Sequence, residues 1–153
     1  MSLLERDPQA PQAWYGDLPV TSRYTYGLAG ERFFRALKDE GKILGSRCPR
    51  CEITYVPGRV FCERCLAELN DWREVGNQGE VHTFTLVYVD RDGSPLETPR
   101  LVAFVQIEDG GLVHFLGEVD PAEIFIGMPV EAVLKPPAER KGDIRDILYF
   151  RPI

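Results

Sequence analysis

The sequence predicts a mainly β protein with a short N-terminal helical segment, and three observations predict it. Four cysteines sit in two C-x2-C pairs ten residues apart, Cys48/Cys51 and Cys62/Cys65. Five β-rich stretches follow from residue 80 onward, separated by Gly, Pro and Asp. Helical periodicity is confined to one stretch of ten residues ahead of the first cysteine. At 153 residues, 44% apolar and 27% charged, the chain has the composition of a soluble globular protein and not of a disordered or fibrous one.

Residues 1–42 read as an arm and a short helix. The arm is punctuated by Pro8, Pro11 and Pro19, yet carries Trp14, Tyr15, Tyr24 and Tyr26. Large aromatics in an irregular segment either fold back on their own domain or anchor a partner, since Trp and Tyr concentrate at interface hot spots. Residues 31–40 place Phe33, Phe34 and Leu37 on one helical face, as expected of a core helix, with Gly41 as its C-cap. A groove-binding helix is the functional alternative, and Phe33 is counted with the four arm aromatics as a candidate partner contact.

Residues 43–70 form a ribbon. Ile53, Tyr55 and Val56 suggest a strand between the cysteine pairs, Pro57-Gly58 a turn, and Val60-Phe61 the return strand. Each C-x2-C bend offers two thiolates, so two facing bends build a closed tetrahedral site with bonds of about 2.3 Å to zinc. Such a site has no open position for water or substrate, which makes its role structural. Other readings stay open. Iron takes the same ligands and would make the chain an electron carrier. Two disulfides need an oxidising compartment, and no secretory signal is visible. A redox C-x-x-C needs a βαβ context that is missing. The residue after each second cysteine is where such a bend turns left-handed, a conformation that glycine adopts most easily. Here Glu52 and Leu66 stand there, so strain or a wider turn is expected.

Residues 71–153 read as a small barrel. Strands are expected at 80–89, 101–107, 112–119, 130–134 and 144–150. A loop at 90–99 carries Gly93, Pro95 and Pro99, and Asp109-Gly110-Gly111 marks a hairpin turn. Asp120-Pro121-Ala122-Glu123 has the form of an N-cap followed by one helical turn. Five strands with a helical piece between the third and fourth match the order of an OB-fold, whose closure removes exposed edges.

Charge and motifs narrow the function. The formal charge is -6, but residues 31–65 hold eight Lys/Arg against five Asp/Glu, while residues 76–153 hold seven against thirteen. An acidic barrel weighs against binding of single-stranded nucleic acid, which wants a basic groove with stacking aromatics; that module nevertheless remains an alternative. Both histidines, His82 and His114, sit inside strand patterns. No nucleophile elbow or phosphate-cradling glycine loop is present. The chain reads as no enzyme by itself. For a nucleotide-bearing small molecule, Arg47, Arg50, Arg59 and Arg64 lie on or beside the ribbon with Tyr55 close by, and a guanidinium pair can hold a phosphate bidentately. The longest unbroken apolar run is the five residues 101–105, too short for a membrane span, so the expected location is cytoplasmic.

The run from Phe33-Phe34 through Gly41-Lys-Ile-Leu, Arg47-Cys-Pro-Arg-Cys, Tyr55-Val-Pro-Gly-Arg59 and Cys62-Glu-Arg-Cys65 resembles the N-terminal half of the domain of unknown function 35 family. Trp72, Gly76 and Gly79-Glu-Val-His-Thr-Phe-Thr85 resemble that family's entry into its barrel, and the likeness covers residues 30–153. It departs at Gly58, where the family usually has a second proline, and the aromatic arm at 12–26 lies outside the common core. The resemblance implies a rubredoxin-like zinc ribbon held by Cys48, Cys51, Cys62 and Cys65, followed by an OB barrel. It implies a non-catalytic accessory subunit in a hetero-oligomer with a thiolase-like or other acyl-CoA enzyme. Ribbon and barrel would dock on that partner and help enclose the CoA or acyl moiety, with Arg47, Tyr55 and Arg59 as candidate CoA contacts.

Overall fold

The structure is a computed structural model and describes residues 25–90 and 92–153. Trp14, Tyr15 and Tyr24, expected at a partner interface, lie outside the described residues.

Helix α1 spans Gly27–Asp39, starting four residues before the sequence signal. Gly27 and Gly30 weigh against a helix on propensity alone. Both have local work instead: Gly27 takes φ +66°, and a Cβ on Gly30 would meet Tyr26 at 2.6 Å. The helix buries Phe33, Ala36 and Leu37. Phe33 is therefore no partner contact. At 1% exposure it packs in the core, because Phe33 and Leu37 are one helical turn apart on the inward face. Gly41 caps the helix at φ +69°, its N–H donating to Leu37 C=O at 3.2 Å.

The ribbon is a three-stranded antiparallel sheet of β1 (Leu44–Cys48), β2 (Ile53–Tyr55) and β3 (Asp71–Glu74), in the order β2-β1-β3. Two features differ from the sequence reading. Val60-Phe61 is no return strand: Phe61 makes one antiparallel bridge to Glu68 inside the second cysteine bend. Residues 71–74, read as the start of the barrel segment, pair with β1 as its outer strand. Ser46 at the centre of β1 ties the 57–60 turn to the ribbon: its hydroxyl accepts from Arg59 N–H at 2.7 Å and donates to Arg59 C=O at 2.9 Å, and Gly58 N–H donates to Leu44 C=O at 3.2 Å. The Trp72 ring then lies on Gly58, where a Cβ would meet it at 2.4 Å, and the Arg32 guanidinium covers the same ring at 5.1 Å.

The barrel consists of β4 (Gln78–Val89), β5 (Pro95–Ile107), β6 (Gly110–Phe115), β7 (Pro129–Leu134) and β8 (Ile147–Pro152). Their order is β6-β5-β4-β7-β8, closed by a parallel bridge between Leu116 and Phe150. The expected loop at 90–99 is shorter, since β5 already begins at Pro95. Pairing of β5 with β6 starts only at Val102, so Pro95 and Pro99 stand where β5 has one free edge. Residues 120–123 form a hydrogen-bonded turn and no helix, with Asp120 Oδ1 accepting from Ala122 N–H at 2.9 Å. No helix among the described residues is long and apolar enough to cross a membrane.

One apolar core runs through all three parts, joining Phe33, Leu37, Ile43 and Val56 to Val81, Val105, Val130 and Phe150 of the barrel. Backbone contacts fix the seam between ribbon and barrel. Gly111 N–H donates to Val56 C=O at 2.9 Å, and Thr54 N–H donates to Asp109 Oδ2 at 2.8 Å. A Cβ on Gly110 would lie 2.4 Å from Val56 N, so only glycine lets the two backbones approach. Gly110→Ala is expected to destabilise the protein by about 1–3 kcal/mol, an overpacking cost. Denaturant unfolding of the two proteins side by side measures it.

Candidate metal centre and the surface around it

The four cysteines are free thiols on two bends that face each other across a small buried cluster with Tyr55 and Leu69. In the first bend Glu52 N–H donates to Cys48 C=O at 2.8 Å, and in the second Leu66 N–H donates to Cys62 C=O at 3.0 Å. Glu52 has φ 57° and Leu66 φ 55°, so the bends keep the tight left-handed turn without glycine. Each such residue costs on the order of 1–3 kcal/mol. A structural zinc ion supplies about 10–16 kcal/mol, which covers both.

All four Sγ atoms lie within 4.8 Å of one another. Cys48 and Cys65 are 3.5 Å apart, and Cys51 and Cys62 are 3.8 Å apart. A tetrahedron with zinc–sulfur bonds of about 2.3 Å has edges of roughly 3.8 Å, so the donor set fits the ion without rearrangement. Cys48 and Cys62 are fully buried while Cys51 and Cys65 are partly exposed. Crowding works against ionising all four thiols in the absence of a cation. The Cys51 thiol is pushed up to about 12, chiefly by sharing a proton with Cys65. The Cys62 thiol is drawn down to about 6, first by the Tyr55 hydroxyl and then by the Cys65 backbone N–H.

Tyr55 is thus part of the metal centre. Its ring is buried and its hydroxyl lies 3.2 Å from Cys62 Sγ. The same bond pushes the Tyr55 phenol up to about 12, so the hydroxyl keeps its proton and donates to the thiolate. In the sequence Tyr55 is a candidate CoA contact because it lies close to the ribbon arginines. In the structure its ring meets Arg59, whose guanidinium sits 5.0 Å from the ring centroid and reaches Glu63 at 2.6 Å. Arg47 lies on β1, paired in register with Thr54 and Asp71. Tyr26 is exposed and stacks on Phe34 at 4.7 Å.

The two histidines are apart. His82 meets the edge of Phe104 at 5.8 Å, and His114 is buried with Nε2 3.2 Å from Ile144 C=O. Burial holds the His114 imidazole below its ordinary value. Sequence patterns gave no functional role to several exposed apolar side chains, among them Phe61 and Leu66 on the ribbon and Val113, Phe115 and Leu148 on the barrel. Alternation along 112–119 points Val113 and Phe115 outward, a signal available in the sequence but indistinct without the register.

Cys62→Ser is expected to abolish stoichiometric zinc and unfold the ribbon, read by elemental analysis and by the melting curve. Tyr55→Phe keeps the ring and removes the hydroxyl. Its zinc affinity is expected to fall about tenfold in competition with a chromophoric chelator, the usual scale for an outer partner of a metal ligand.

Comparison with known proteins fits this geometry. The rubredoxin-like zinc ribbon domain of ChsH2 matches residues 35–70, and its C-terminal OB-fold domain matches residues 72–135. A DUF35 domain-containing scaffold protein of Methanocaldococcus jannaschii is 30% identical over 128 residues, covering 80% of this chain and 89% of the relative. One from Pyrococcus furiosus is 32% identical over 126 residues, covering 80% and 91%. A solved DUF35-family protein of unknown function from Sulfolobus solfataricus superposes with a TM-score of 0.64 at 25% identity, over 83% of this chain and 87% of that one. A chain of the solved Ltp2-ChsH2(DUF35) aldolase superposes at 0.61 with 26% identity, over 85% and 98%. With the cysteine quartet, the ribbon sheet and the barrel order all in place, the chain belongs to the DUF35 family, as a zinc ribbon joined to an OB-fold.

Proposed function

We propose that this chain is a non-catalytic accessory subunit of a thiolase-type acyl-CoA enzyme, docking through ribbon and barrel and helping to enclose the CoA or acyl moiety. The observation that carries the reading is a rigid frame with outward apolar side chains. Phe61 and Leu66 project from the second cysteine bend at 59% and 77% exposure, beside the ligands Cys62 and Cys65 that fix it. Large exposed apolar residues on a rigid support fit partner anchoring. The curated relatives are scaffold proteins, and the ChsH2 chain is found with Ltp2 in an aldolase.

Catalysis then belongs to the partner, and this subunit supplies position and closure. Arg47 and Arg59 are the cations assigned to the CoA phosphates, with Tyr55 holding Arg59 in place from beneath.

Tagged protein purified from the native organism is expected to bring down an acyl-CoA enzyme in stoichiometric amount, identified by mass spectrometry. Recovery of no such enzyme counts against the accessory role. In the recovered complex, Arg59→Ala is expected to weaken CoA binding by about tenfold, measured by calorimetry, on the scale of one charge-assisted hydrogen bond. Unchanged binding removes Arg59 from the CoA site.

A further inference from the structure

Closure of the barrel between β6 and β8 does not rest on strand pairing alone. Among the described residues β6 has a strand partner only on its β5 side until Leu116 meets Phe150, where Gly117 N–H donates to Phe150 C=O at 2.9 Å. Ahead of that point a side chain makes the link. His114 Nε2 lies 3.2 Å from the C=O of Ile144, in the 3-10 turn Ile144–Asp146 that leads into β8. A carbonyl only accepts, so Nε2 carries the ring proton and Nδ1 is a bare acceptor. The turn is tied on its other sides as well. The fully buried Asp146 carboxylate accepts from Lys141 N–H at 2.8 Å and from Gly142 N–H at 2.6 Å, and Lys135 N–H donates to Asp146 C=O at 2.9 Å. Toward β6 the hydrogen bond is the one from His114.

His114 is buried, and its Nδ1 is sealed from solvent without a hydrogen-bond partner. A charged imidazole is a donor at both nitrogens and needs an acceptor or water at each. The surroundings are apolar on three sides. Ala103 is its register partner on β5, the Phe115 ring meets it at 5.7 Å, and the Phe150 ring of β8 at 6.1 Å. The charged groups that line the cleft beside it are Lys135, just past β7, and Arg145 in the turn. Asp143, which caps the turn, holds Arg145 at 2.7 Å, and the Asp146 carboxylate is taken up by backbone N–H groups. Among the described residues no carboxylate bonds to the ring. Burial favours the neutral ring and outweighs the backbone of Ile144 and Phe115, which favours the charged one.

We propose that neutral His114 pins the 144–146 turn to β6 and that its protonation releases the pin, so that acid opens the barrel wall between β6 and β8. The stabilisation is complete above the ordinary histidine value of about 6.5 and is lost as pH falls below it, by up to about tenfold in the opening equilibrium per pH unit. The pin belongs to the chain by itself and does not depend on the accessory role.

Proton NMR of the zinc-loaded full-length chain reads the pin. His82→Asn changes an exposed residue and leaves His114 as the one imidazole. Its titration is expected below the ordinary value, and titration at or above about 6.5 overturns the proposal. Amide exchange, corrected for its intrinsic pH dependence, is then compared about one pH unit above and about one below that value. Lys141 and Gly142, whose N–H groups Asp146 holds, are expected to lose about tenfold in protection at the lower pH while the β4–β5 pairing keeps its own. His114→Gln keeps a side-chain N–H and cannot titrate, so its protection is expected to stay level over the same range. Equal loss through the whole barrel, or the same acid loosening in His114→Gln, overturns the proposal. Should the Gln variant fail to fold, the histidine titration and the wild-type comparison of turn with barrel still decide.

Discussion

Four thiols held within 4.8 Å of one another are the constraint on which the ribbon depends. Neutral thiols give little attraction and four thiolates repel, so the two bends need a cation between them to stay facing. The ion also offsets the left-handed backbone at Glu52 and Leu66, which a ribbon this small could not sustain through apolar burial alone. The buried cluster around the cysteines adds only Tyr55, Leu69 and the half-buried Ile53. Metal coordination, not core packing, decides the shape of this part of the molecule.

That shape matters because the ribbon is joined to the barrel by its backbone. Val56 closes onto Gly110 and Gly111, while its side chain enters the same core as α1 and the barrel strands. The Tyr55 side chain next to it supports Cys62. Tyr55 at the end of β2 and Val56 just after it thus link the metal to the barrel. A scaffold needs this: surfaces on two modules act together only if the modules keep their relative placement. The DUF35 frame is a fold whose strongest internal constraints, the cysteine quartet and the backbone seam, fix the ribbon against the barrel.

The cysteine ligands were legible from the linear chain because ligand spacing is a local property; two residues between thiols suffice to form a bend, whatever surrounds it. The barrel strands were legible for a similar reason, since alternation and β-branched content act over a few residues. Their ends were not. Pro95 and Pro99 look like loop residues until one knows that β5 has a free edge there, and Gly27 and Gly30 look like helix breakers until Tyr26 is seen folding back on the helix.

Long-range partnership decided the rest. Asp71–Glu74 joins the ribbon sheet because β1 has an open side, Phe33 is buried because the barrel lies beneath α1, and Tyr55 serves the metal because the second bend folds over it. Each outcome turns on which groups from distant parts of the chain come within a few ångströms, and local periodicity carries no record of that. β6 is a clear instance: its residues spell an ordinary strand, and only the placement of β8 leaves one side of it without a strand partner among the described residues.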